Sequence, residues 1–304
     1  MVAPPFIFDF THVLWLIVCS DFCMRIASLF YLGFLGLAGT CNLALDNEPK
    51  KPSKTMSYSY DCLDSAVSGS ETSKAISNAT TIIRNLAIKQ KEITDSVQSQ
   101  WGNAFHEDAI ETKTFVLVND PDISTQLQQV INDLLAVREK PSKIEYSIYL
   151  LNDSTINAFT FGGHIYLTRA MYDKCKNNSD LLYSIIGHEI GHSEKGHIKK
   201  TIQEMMIAEN VFGEDNSASA YQVLKMLTGA FNQKNELEAD YYGIDMAYQL
   251  NKNVCATVNF WNELSKSENQ YSKLEDLFRT HPFSRLRAKC LKNHIQTNFH
   301  EKCN

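Results

Sequence analysis

His188, Glu189 and His192 form the pattern H-E-x-x-H, the arrangement in this chain with the clearest chemical content. On a helix, residues four apart differ by about 40° in direction, so both imidazoles leave from one face. Two imidazoles so placed can ligate one zinc ion at about 2.0–2.1 Å. Glu189 then stands beside the metal rather than on it. There it can take a proton from attacking water and pass it to a leaving amine. A hydrolytic zinc site needs a third protein ligand and a fourth position left for water. Lys195 and Ile198 stand where a glycine and a third histidine would extend the motif, which excludes the metzincin arrangement. His197, nine residues after His188, falls on the far side of a helix carried on to 201 and is expected to pack or hydrogen-bond.

Glu236-Leu237-Glu238-Ala239-Asp240 supplies the missing ligand. Glu236 and Asp240 share one helix face, and Ala239 is small enough to let two helices approach. Glu236 is the expected third ligand. Asp240 is expected to hydrogen-bond a liganding imidazole, His188, and fix its tautomer. Glu238 points elsewhere. The expectation is one zinc ion per chain.

These residues need elements to hold them, and the hydropathy pattern gives a helix-dominated α+β class with one small sheet beside the active-site helix. Helices are expected over 80–111, where Ile82, Ile83, Leu86, Ile93, Val97 and Trp101 repeat, and over 123–138 with Asp122 or Ser124 as cap. Residues 144–151 alternate like a strand, and 156–161 with 164–168 flank Gly162-Gly163 as a hairpin. The motif helix is expected over 180–201, capped by Ser179, with further helices over 232–250, 255–266, 272–280 and 284–297. The segment 202–231 is interrupted by Glu204, Glu209, Glu214, Asp215 and Lys225. It reads as a helical cover over the cleft or a membrane-surface helix, not as a span.

A net charge of −6 with scattered lysines and arginines argues against a nucleic-acid partner. Residues 1–41 are expected to be a signal peptide, a lipoprotein signal or an N-terminal anchor. The apolar run Ile26 to Ala38 follows Arg25 and ends in small residues, Met24 offers an alternative start, and Cys41 is the residue a lipoprotein signal would modify. Residues 42–79 read as linker and N-terminal extension, and 80–304 as the catalytic domain. Export to the periplasm or to a membrane surface follows, and any membrane contact would run through the N-terminal region. Beyond residue 41 five cysteines remain, an odd number that leaves one thiol over. Cys290 and Cys303 are the pair that nearness in sequence suggests.

The chain resembles the HtpX-like and BepA-like zinc peptidases, a family that includes the CaaX prenyl proteases. The resemblance rests on four ordered motifs: Asn157 to Thr168, His188 to His192, Glu236 to Asp240, and His281-Pro282-Phe283-Ser284-Arg285-Leu286-Arg287. It implies a zincin-type catalytic domain. It also implies that residues 162–168 form the cleft-side edge strand, so that Asn157, Gly162, Gly163, His164, Ile165 and Tyr166 bind substrate by β-augmentation. By the same resemblance His281 and Arg287 lie over the metal and stabilise the oxyanion; in some periplasmic members a histidine at this place instead caps the zinc and holds the enzyme latent. The implied activity is an endopeptidase for unfolded or misassembled exported polypeptides. The alternative is a chaperone-like or assembly factor that binds polypeptide and rarely cleaves.

Overall fold

The computed structural model describes residues 56–63, 93–212, 223–224, 227, 231–266, 280–281 and 285–303, with side chains from 93 as far as 206. The leader 1–41 and the expected helix 272–279 lie outside the described residues, as does the expected first helix up to Glu92. Within them the helices are α1 (Asp95–Glu111), α2 (Pro121–Ala136), α3 (Arg169–Cys175), α4 (Ser179–Glu194), α5 (His197–Phe212), α6 (Gln233–Gln249), α7 (Cys255–Lys266) and α8 (Arg285–Phe299). The strands are β1 (Ser147–Leu151), β2 (Ala158–Phe161) and β3 (His164–Thr168). This is the helix-dominated α+β class, and no described helix is long and apolar enough to cross a membrane.

Side-chain caps set the helix starts. Thr94 accepts from the Val97 N–H at 3.2 Å and opens α1. Asp120, not Asp122 or Ser124, caps α2, because Pro121 takes the first helical position, where its missing N–H is no loss. Asn178, not Ser179, caps α4 by accepting from the Leu181 N–H. The end of α4 departs further from expectation. The helix stops at Glu194, and Gly196 at φ +78° turns the chain so that His197 starts a separate helix. At that φ a Cβ would be strained.

The sheet order is β1-β3-β2, with β1 parallel and β2 antiparallel to β3. Gly162 (φ +66°) and Gly163 (φ +103°) make the two-residue hairpin turn, which needs positive φ at both positions. β3 is therefore the central strand. This corrects the reading of 162–168 as the cleft-side edge: that edge is β2, beside α4. Successive β3 residues serve opposite cores. Ile165 and Leu167 join α2, α3, α4 and α6, while Tyr166 packs with Phe105 of α1, Phe115, Phe161 and the start of α5.

α4 and α6 run antiparallel in backbone contact. A Cβ on Gly243 would lie 2.6 Å from the His188 nitrogen, and one on Gly191 would lie 2.9 Å from the Cα of Ala239. Residues 56–63, expected as part of the extension, are tied to this body. Tyr58 donates to Asp245 at 2.7 Å, Ser57 exchanges two hydrogen bonds with Asn298, and Cys62 is bonded to Cys290. Cys255 pairs with Cys303, so the expected Cys290–Cys303 bridge is replaced by two, one tying α8 to the segment 56–63 and one tying the chain just after α8 to the start of α7. Cys175 is the buried thiol left over among the described residues.

Gly243→Ala should lower unfolding stability by about 1–3 kcal/mol, the cost of overpacking a tight contact. It should also weaken zinc retention by separating the ligand-bearing helices. Chemical denaturation and metal analysis of the purified variant check both effects.

Candidate metal centre

α4 buries His188, Glu189 and His192, and α6 brings Glu236 and Asp240 against them. The Nε2 atoms of His188 and His192 stand 3.0 Å apart, and Glu236 lies 3.5 and 3.3 Å from them. His281, just ahead of α8, completes the group with Nδ1 3.1 Å from Glu236 Oε2 and 3.2 Å from His188 Nε2. All four residues are buried, and their donor atoms lie within 4.8 Å of one another.

The donor set fits zinc. Two imidazoles and a carboxylate converge, and Glu236 Oε1 is buried with no hydrogen-bond partner. The charges agree. Arg287 pairs with Glu236 and Asp240, and with the histidines neutral, as ligation requires, these two carboxylates and Glu189 leave a net negative site that a divalent ion would balance. Burial would raise the Glu236 carboxyl, but His281, Arg287 and His192 outweigh it and hold it well below the usual range. Burial resists charge on His188, yet Asp240 and Glu236 lift its imidazole to about 10. Burial raises the Glu189 carboxyl.

Each ring that could ligate a metal is fixed from behind. Asp240 Oδ1 lies 2.9 Å from His188 Nδ1, which leaves Nε2 for the metal. His192 has a partner that sequence reasoning did not assign. His197 Nδ1 lies 3.1 Å from His192 Nδ1, and His197 Nε2 lies 3.0 Å from Glu238 Oε2. A proton on His192 Nδ1 donated to a neutral His197, which donates in turn to Glu238, gives the tautomer a ligand needs. The signal available was Gly196: a helix ended there brings His197 back over α4 instead of onto its far side.

Arg287 is corrected in place. It is fully buried behind the ligands, donating through Nε and Nη2 to Asp240 and pairing through Nη1 with Glu236 at 3.0 Å. The guanidinium holds two carboxylates and is not aimed over the metal. His281 is brought into the cluster as expected of a residue near the metal.

The expected substrate contacts fall on both sides of the hairpin. His164, Ile165 and Tyr166 are buried in the central strand, and Gly162 is pressed against Gly102 of α1. His164 hydrogen-bonds Asn103 at 2.7 Å and stacks beside His106 and Tyr149, a packing role. The outer edge belongs to β2. Thr168 N–H donates to Asn157 O, so alternation turns the backbone groups of Ala158 and Thr160 away from β3. His281 Nε2 donates to Ala158 O at 2.9 Å.

Among known proteins, the sequence profile of Peptidase family M48 matches residues 121–295. The beta-barrel assembly-enhancing protease of Yersinia pestis is 28% identical over 195 residues, which is 58% of this chain and 40% of that protein. Metalloprotease LoiP of Escherichia coli is 27% identical over 167 residues, 51% of this chain and 64% of LoiP. Mitochondrial metalloendopeptidase OMA1 of Schizosaccharomyces pombe is 25% identical over 171 residues, 54% of this chain and 50% of that protein. The chain spans less than two thirds of the length of each.

His197→Ala should weaken zinc binding by about 10–100-fold, as loss of a ligand's supporting hydrogen bond does elsewhere; competition with a chelator measures it. A second outcome concerns pH. Burial, with His106 beside it, pushes the His164 imidazole down to about 4. The unfolded chain takes up that proton near pH 6.5 and the folded one does not, so stability falls as pH drops from about 6.5 towards 4. His164→Gln should show a shallower fall in thermal midpoint over that window.

Proposed function

The chain belongs to peptidase family M48, and we propose that it is a zinc-dependent endopeptidase acting on unfolded or misassembled exported polypeptides. The observation that carries this is the convergence of His188, His192 and Glu236 beside Glu189, directly under the outer edge of β2. Zinc held by these ligands supplies Lewis acidity, which polarises a carbonyl and makes water acidic enough to attack near neutral pH. Glu189 takes the proton of the attacking water and hands it to the leaving amine. Ala158 and Thr160 offer backbone donors and acceptors to an extended peptide, which reads main chain and so selects segments that are not folded. Asp240 and His197 hold the two rings, and Arg287 anchors Asp240 and Glu236.

Export is supported by the Cys62–Cys290 and Cys255–Cys303 bridges, which persist in oxidising compartments. A periplasmic or membrane-associated place also agrees with the relative from Yersinia pestis, a beta-barrel assembly-enhancing protease. Lipidation at Cys41, and membrane contact through the N-terminal region, belong to this reading too.

One observation favours a second reading, a factor that binds polypeptide and rarely cuts. His281 fills the Ala158 carbonyl with Nε2 and brings Nδ1 among the metal donors, a closed arrangement that excludes substrate from the edge. In the endopeptidase reading this is a resting state, and His281 must swing out before peptide enters.

Zinc-loaded protein should degrade casein, and Glu189→Gln should abolish cleavage while retaining zinc. His281→Ala should raise the rate if the closed form limits turnover. Zinc retained without cleavage by either the wild type or His281→Ala would favour the binding factor.

A further inference from the structure

Beside β2, on the sheet face away from α4, lies a pocket of about 300 Å³. Its apolar lining is Phe115, Leu151, Phe159, Leu224 and Leu227 with Val116 at the mouth, and seven polar residues complete it, among them Asn157 and Thr280, the chain neighbours of Ala158 and His281. Phe115, Leu151, Phe159 and Leu227 are buried, while Val116 at the mouth is 56% exposed. Asn157 is committed to its own strand: its carbonyl accepts from Thr168 N–H, and Oδ1 accepts from Thr280 Oγ1–H at 3.2 Å. It forms a wall of the pocket.

We propose that this pocket is a substrate subsite that takes one large apolar side chain, leucine, methionine or phenylalanine, and that it sets the sequence preference of the enzyme. The inference rests on the endopeptidase reading for the approach of an extended peptide to β2. Strand geometry supplies the rest. Ala158 and Thr160 direct their backbone groups outward, so an antiparallel peptide pairs with those two residues. The peptide residue between the paired positions then lies opposite Phe159. Residues directly opposite on antiparallel strands point to the same sheet face, and at a non-hydrogen-bonded pair their side chains come close. Phe159 points into the pocket, so that peptide side chain does too.

The lining selects its chemistry. Six of its thirteen lining residues are apolar, four of them buried, and the pocket lies at the small end of the size range of ligand pockets. The mouth carries Asp153, whose Oδ1 accepts from the N–H and Oγ1–H of Thr155, both at 2.8 Å. That turn occupies one carboxylate oxygen and keeps its negative charge at the rim, which disfavours an acidic residue. The exposed Val116 widens the apolar entrance. A side chain filling the pocket gains burial that serine or aspartate at the same place cannot.

The test uses binding, so that it does not depend on turnover. Zinc-loaded Glu189→Gln/His281→Ala, which lacks both the proton acceptor and the histidine that closes the β2 edge, is titrated with fluorescent ten-residue peptides of Ser, Thr and Gln carrying Leu, Ser or Asp at one central position. Leu should bind at least about tenfold more tightly than Ser, and Asp more weakly still. Leu224→Trp, which fills the pocket, and Val116→Asp, a change at an exposed rim, should each cut the preference below about twofold. Equal binding of the three peptides, or a preference for Leu that survives both changes, would overturn the subsite. A preference lost in the pocket variants while the wild type cleaves nothing would uphold the subsite and overturn the endopeptidase reading. Cleavage without any such preference would do the reverse.

Discussion

The backbone contact between α4 and α6 is the constraint from which the metal centre follows. Gly187 faces Gly243 and Gly191 faces Ala239, one turn apart, so the two helices meet with almost no side chain between them. At that separation Glu236 and Asp240 on one helix reach the two histidines on the other without long or flexible side chains. A glutamate further away could still meet a metal, but Asp240 could not also stand 2.9 Å behind His188. The small residues therefore do chemical work although they touch nothing that reacts.

Such closeness concentrates charge where water is excluded. Three carboxylates lie within one buried cluster, and Arg287 offsets them only in part. The guanidinium's planar fork suits this task, since it satisfies Asp240 at two points and reaches Glu236 with its remaining nitrogen. An ammonium would satisfy fewer of these acceptors. The same residue sits over the ring of Trp261 at 4.9 Å, which fixes its height in the core. With Arg287 behind them, the carboxylates present a net charge that a divalent cation neutralises from the front.

Much of this was legible in the sequence because it rests on local periodicity. H-E-x-x-H carries its own geometry on any helix, and the spacing of Glu236 to Asp240 carries a second. The class of fold and the Gly162-Gly163 hairpin were legible for the same reason. What was not legible depends on long-range placement. The order β1-β3-β2 is not contained in the hairpin signal, so the central strand was read as the edge. The disulfides join residues 228 and 48 apart in sequence, and nearness along the chain pointed to the wrong pair. His197 was placed on the wrong side of a helix because the turn at Gly196 was read through. Arg287 was assigned by resemblance to the front of the metal, where the packing of α8 leaves it no path.

The outer edge of β2 joins these threads. An unpaired strand edge attracts other strands, and proteins commonly shorten or cover such edges. β2 has only four residues, and its outer carbonyl at Ala158 already accepts from His281. On the proposed reading this one histidine does two things at once: it withdraws the edge from any passing peptide, and it offers Nδ1 to the cluster below. Opening would expose the edge and free a metal position in a single movement. Substrate binding and catalytic competence would thus be coupled through one side chain, because the strand that recognises peptide and the helix that carries the ligands are packed face to face.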